Sequence, residues 1–115
     1  MVAVVIVEGD RLVGLALQRQ LRTLGADSRL ILDATHVETA LETELPDLII
    51  ADLWMLGRSG LEVLTMSRQR FPRVRRCLLT GSIGNLRDVT LLEPCTLLRK
   101  PWSTNELATL LKSLR

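Results

Sequence analysis

Five short apolar runs, each followed by a stretch of helical periodicity, constrain this chain more than any other feature. The runs are Val2–Val7, residues 28–32, 47–51 and 74–79, and Thr96–Arg99. Val2–Val7 (VAVVIV) is continuous and β-branched, the pattern of a strand buried on both faces. After it, Val13, Ala16, Leu17, Leu21 and Leu24 recur at helical spacing until Gly25 stops them. Three capping boxes are expected, Thr35 with Glu38, Ser59 with Glu62, and Ser103 with Glu106. The first opens a helix carrying Val37, Ala40, Leu41 and Leu45, ended by Pro46; the second opens one reaching to about Phe71, before Pro72. The third opens a helix with the stripe Leu107, Leu110, Leu111 and Leu114, and a short helix over 85–92, closed by Pro94, is expected between the last two strands. Strands and helices that alternate through short connections demand a parallel sheet covered by helices on both faces. The expected fold class is therefore α/β, a doubly wound five-stranded parallel sheet of order 2-1-3-4-5.

Length and composition narrow the function classes. A chain of 115 residues, 47% apolar and 24% charged, is expected to be one globular domain, 1–115, with no output domain of its own. Its longest apolar run is strand-sized, far below the roughly 18–20 residues that span a bilayer, so no membrane association is expected. Met1 is followed directly by Val-Ala-Val-Val, which does not predict a secretory signal. Cys77 and Cys95 fit no zinc spacing and read as reduced, buried thiols, which together with the missing signal points to the cytoplasm. The net charge of +2 hides an uneven distribution, with an acid-free run of Arg68, Arg70, Arg73, Arg75 and Arg76. Without a lysine run beside it, this run reads as a solvated face near a helix C-terminus, and direct nucleic-acid binding is not expected.

In a doubly wound sheet, ligands bind beyond the carboxyl ends of the strands, near the point where strand order reverses. The residues there are Glu8 and Asp10 after the first strand, Asp52 after the third, Thr80 after the fourth and Lys100 after the fifth. Such a set suits phosphoryl chemistry. Asp52 is placed as a carboxylate nucleophile toward phosphorus. Glu8, Asp52 and a backbone carbonyl offer hard oxygens to a cation that neutralises developing charge. The Thr80 hydroxyl and the Lys100 ammonium can bind the remaining phosphoryl oxygens, and Gly81 leaves space beside them.

These residues carry a family resemblance. VVIVEGD (4–10), PDLIIADLWMLGRSGLEVL (46–64), CLLTGS (77–82) and LLRKPW (97–102) resemble, in this order, the receiver domain of two-component response regulators over essentially the whole chain. The resemblance implies a flavodoxin-like fold, Asp52 as phosphoacceptor, Thr80 and Lys100 as its assistants, and Mg2+ held by Glu8, Asp52 and the backbone carbonyl of Trp54. It implies a histidine kinase or phosphotransfer protein as partner, leaves a homodimer open, and implies a cis peptide before Pro101. By the same resemblance the domain signals and is not an enzyme beyond its own phosphoryl transfer and dephosphorylation.

Three departures stand out. Gly9 occupies the place of a second acid, so Mg2+ binding should be weak, with Asp10, one residue later, as a substitute ligand. Leu97 stands where many members carry Tyr or Phe, and Leu56 where Pro is usual. The alternative reading is therefore a degenerate pseudo-receiver acting as a phosphorylation-independent interaction module. A flavin or nucleotide binder of the same sheet order would need a phosphate-cradling loop after the first strand, and EGDRL is not one.

The remaining chemistry-bearing residues read more simply. His36 is expected as a solvated residue at a helix start, and Trp102 as packing under the last helix. Gly57 and Gly60 read as turn glycines. Trp54 has two readings, a shield over the site or a packing residue.

Overall fold

The computed structural model describes residues 1–55, 57–81 and 95–114. Leu56 and the helix expected over 85–92 lie outside them. Among the described residues, strands β1 (Val2–Val7), β2 (Ala26–Ile31), β3 (Leu48–Asp52), β4 (Arg75–Thr80) and β5 (Thr96–Arg99) form one sheet of order β2-β1-β3-β4-β5. Every neighbouring pair is parallel. The helices are α1 (Arg11–Thr23), α2 (Val37–Thr43), α3 (Gly60–Arg70) and α4 (Thr104–Lys112). The expected doubly wound α/β fold is the observed one.

Period-two alternation divides the core in two. Val4, Ile6, Leu48, Ile50, Cys77, Leu79 and Leu98 pack on one face with Leu17 and Leu21 of α1 and Leu107, Leu110 and Leu111 of α4. Val5, Val7, Ile49, Ala51 and Leu78 pack on the other with Val37 and Leu41 of α2 and Val63, Leu64 and Met66 of α3. β3 is buried at all five positions, as a central parallel strand must be. Truncation there leaves a void that neighbours on both sides cannot fill. Ile50→Ala is expected to lower unfolding stability by about 2–5 kcal/mol, read as a lower urea midpoint at unchanged slope.

Several local expectations are corrected. Strand β2 begins at Ala26 rather than 28, because Gly25 takes a positive φ of 88° and turns the chain straight from α1 into the sheet. Thr35 and Glu38 form no capping box. The Asp33 carboxylate accepts the Thr35 N–H at 2.9 Å, and a single 3-10 turn, Ala34–His36, precedes α2. His36 stands at the helix start, exposed and without a side-chain cap bond. Ser59 does cap α3, accepting the Glu62 N–H at 3.2 Å. The full reciprocal box forms at Ser103 and Glu106, with both bonds made.

The arginine run divides. Arg68, Arg70, Arg73 and Arg75 are exposed, and Arg70 pairs with Glu42 at 2.5 Å while lying over the Phe71 ring. Arg76, also expected to be solvated, is only 6% exposed and donates to the Val74 carbonyl, its charge disfavoured by burial. Strand parity explains this, since Arg75 and Arg76 point to opposite faces. Cys77, expected as a buried thiol, lies in the α1/α4 core, whereas Cys95, just before β5, is only half-buried against the α2/α3 core; both are free thiols.

Candidate functional site

Order reversal at β1 places β2 on one side of it and β3 on the other. The carboxyl ends of β1 and β3 therefore border the crevice where a parallel sheet presents ligands. Glu8 leaves β1 into that crevice and is 1% exposed. Asp52 is the last residue of β3, 6% exposed, and Thr80 the last of β4, 4% exposed. Lys100 follows β5, its N–H donating to the Thr80 carbonyl at 2.8 Å and its next peptide, to Pro101, being cis.

The side chains meet around one ammonium. Lys100 Nζ lies 2.9 Å from Glu8 Oε2 and 3.2 Å from Asp52 Oδ2. The other Glu8 oxygen, Oε1, accepts the Asp10 N–H at 3.0 Å, and Asp52 Oδ1 faces the Trp54 N–H at 3.4 Å. Each carboxylate is thus held at both ends, by a backbone amide and by the lysine. Two buried acids against one ammonium leave one negative charge.

The electrostatics follow from this crowding. Burial pushes the Glu8 carboxyl above its usual range, and the nearby Asp52 charge adds to the rise, while the Asp10 N–H and Lys100 oppose it. Burial pulls the other way on Lys100, but its contacts with Glu8 and Asp52 outweigh that and hold the ammonium's proton more firmly than in water.

The remaining expected site residues are placed as follows. Asp10 is exposed and caps α1, its Oδ1 accepting from the N–H groups of Leu12 at 3.0 Å and Val13 at 3.4 Å. Trp54 is 71% exposed, so it is not a packing residue. Trp102 is half-buried against the core shared by α1 and α4, and its indole N–H donates to Gln20 of α1. Leu97 packs against the α2/α3 core. Gly57, at a φ of 87°, is a turn glycine, whereas Gly60 is the first residue of α3. Sequence reasoning missed what Gly60 does there; the available signal was a glycine directly after an N-capping serine, inside the helix rather than before it.

Among the described residues, no three His, Cys, Asp or Glu side chains are grouped to hold a metal ion. What exists is a pair of hard carboxylates carrying a net negative charge. That donor chemistry is hard oxygen, the kind Mg2+ takes rather than zinc.

A doubly wound sheet that gathers two acids, a hydroxyl and a lysine at the carboxyl ends of four strands has the arrangement of a signal-receiver domain. The response regulator receiver domain family matches residues 4–112, nearly the full length, and the chain belongs to that family, a class of signalling domains. Solved structures agree on the fold. A signal receiver domain of an HD domain-containing protein from Pseudomonas fluorescens is 25% identical, with a TM-score of 0.88 over 98% of this chain and 85% of that one. A signal receiver domain of a DNA binding response regulator from Colwellia psychrerythraea is 21% identical, with a TM-score of 0.88 over 99% and 98%. The Vibrio cholerae chemotaxis protein CheY4 is 18% identical, with a TM-score of 0.88 over 100% and 99%. A search of curated proteins finds no match to the chain. No helix among the described residues is long and apolar enough to cross a membrane.

Proposed function

We propose that this receiver domain accepts a phosphoryl group on Asp52 from a histidine kinase or phosphotransfer protein in the cytoplasm and relays the change to a partner or output domain. The observation that carries this reading is the single ammonium shared by two buried carboxylates, at 2.9 and 3.2 Å. Such an arrangement holds the Asp52 carboxylate in place and keeps a cation beside the position where phosphoryl charge arrives. An Asp52 oxygen attacks phosphorus, the bond to the donor imidazole nitrogen breaks, and the imidazole, already protonated on its other ring nitrogen, leaves neutral. The product is an acyl phosphate on Asp52. Lys100 then turns from Asp52 to the phosphoryl oxygens, and the buried Thr80 hydroxyl reaches another of them. Glu8, Asp52 and the Trp54 carbonyl are the groups that would hold Mg2+, which supplies neutralisation of phosphoryl charge when bound. Beside Lys100, Leu12, Val13, Ala16, Pro101 and Trp102 line an apolar groove that offers a donor protein contact area next to the acceptor.

Gly9 and Leu97 favour a second reading, a pseudo-receiver that binds its partner without phosphorylation. One experiment decides between them. Incubation with a small phosphoramidate and Mg2+, read by intact mass, should add one phosphoryl group to the wild-type protein and none to Asp52→Asn. Gain that persists in Asp52→Asn would move the chemistry elsewhere. No gain in wild type, with gain restored in Gly9→Asp, would favour the pseudo-receiver.

A further inference from the structure

Gly60 is read from the sequence as a turn glycine, yet its φ is not in the left-handed region that favours glycine. What requires glycine there is space. A Cβ on Gly60 would lie 2.2 Å from the Asp52 carbonyl oxygen, 2.7 Å from its carbonyl carbon and 3.0 Å from the Leu53 Cα. Carbon and carbonyl oxygen ordinarily stay about 3.3 Å apart, so something would have to move by roughly 1 Å. A Cβ at Gly14 also meets a neighbour at 2.5 Å, but that neighbour is the tip of the Leu30 side chain, which can turn away. At Gly60 the obstacle is main chain.

Neither side of this contact can yield freely. Asp52 is in register with Leu79, and the adjoining Leu53 N–H donates to the Leu79 carbonyl at 2.9 Å. On the helix side, Val63 and Leu64 are fully buried in the α2/α3 core, and the Gly60 N–H donates to the Leu53 carbonyl at 3.1 Å. The start of α3 is therefore clamped onto the main chain of the residue that carries the reacting carboxylate.

We infer that Gly60 is a positioning residue for Asp52: its missing Cβ lets α3 seat against the Asp52 main chain and so aims the carboxylate at Lys100. The inference rests on the reading of Asp52 as acceptor. Displacements of about 1 Å at a reacting group can slow a reaction by as much as 100-fold. The control is Ser59→Ala, which loosens the same helix end by removing its cap without placing any atom against Asp52.

The experiment measures acyl phosphate formation from a small phosphoramidate, thermal unfolding, and the amide resonance of Trp54, whose N–H faces Asp52 Oδ1. Both variants should unfold at lower temperature than wild type. Gly60→Ala should form the acyl phosphate at least tenfold more slowly and shift the Trp54 amide, while Ser59→Ala stays within twofold and leaves that resonance in place. Wild-type kinetics in Gly60→Ala, or equal slowing in Ser59→Ala, overturns the proposal. Should Gly60→Ala fail to fold, amide exchange in the wild-type protein decides. The Gly60 N–H should be protected as well as that of Leu53, and exchange at the rate of an exposed amide would remove the clamp. A wild-type protein that takes no phosphoryl group would overturn the acceptor reading instead, with the Gly60 contact still settled by the exchange measurement.

Discussion

Gly9→Asp is expected to bind Mg2+ between about ten- and a thousand-fold more tightly than the wild-type chain, measured by calorimetric titration. Space permits the change, since a Cβ at Gly9 meets nothing nearer than the Leu32 carbonyl oxygen at 4.0 Å. Gly9 is also not among the glycines with positive φ, so an aspartate can adopt its backbone conformation. A carboxylate about 4 Å from a dication at an effective dielectric of ~20 contributes several kcal/mol before displaced water offsets part of it. The exposed Asp10 does not supply that carboxylate in this structure, because one of its oxygens caps α1. Equal affinity in wild type and Gly9→Asp would show that Asp10 leaves its cap, or that water serves as well.

Lys100→Met should lower unfolding stability by about 2–3 kcal/mol at neutral pH, toward the lower end for breaking a buried ion pair because a quarter of the Lys100 side chain is exposed. Methionine keeps most of the apolar stem, so the loss isolates the charge. The deficit should depend on pH in a defined direction. Glu8 and Lys100 both hold their protons more tightly folded than unfolded. The Glu8 contribution is then complete below its unfolded value of 4.5 and is lost as pH rises through its raised folded value. That of Lys100 is complete below 10.5 and is lost as pH climbs through its own raised value. Without the ammonium Glu8 rises further, so the variant's deficit should be smallest near pH 4.5 and grow toward neutrality. Adding Glu8→Gln in the Lys100→Met background should recover most of it. Urea unfolding across this range tests the account, and a pH-independent deficit would contradict it.

The strands were legible because burial on two faces leaves an unbroken apolar run, as in Val2–Val7, whose ends the structure reproduces. Ser103 and Glu106 were legible because a capping box closes within four residues and needs no distant partner. Thr35 and Glu38 show the limit of that logic. Asp33, two residues upstream, offers a carboxylate to the Thr35 amide first, and competition between two local motifs cannot be ranked from spacing alone. Arg76 shows another limit, since a charged residue in a charged run hides the strand parity that buries it.

Alternation of strand and helix was enough to call for a parallel, doubly wound sheet, and acids, a hydroxyl and an amine after four of its strands were enough to bring Glu8, Asp52, Thr80 and Lys100 together beyond its carboxyl ends. Chain connectivity and handedness leave few other ways to wind such a sequence. Only the tertiary structure decided how those groups divide their contacts. Lys100 bridges both acids, Asp10 turns away to cap a helix, and α3 closes onto the Asp52 main chain at Gly60. Those outcomes depend on ångström-scale distances between residues far apart in the chain. Such distances are set by sheet twist, rotamers and packing, none of which is written in the periodicity of the sequence.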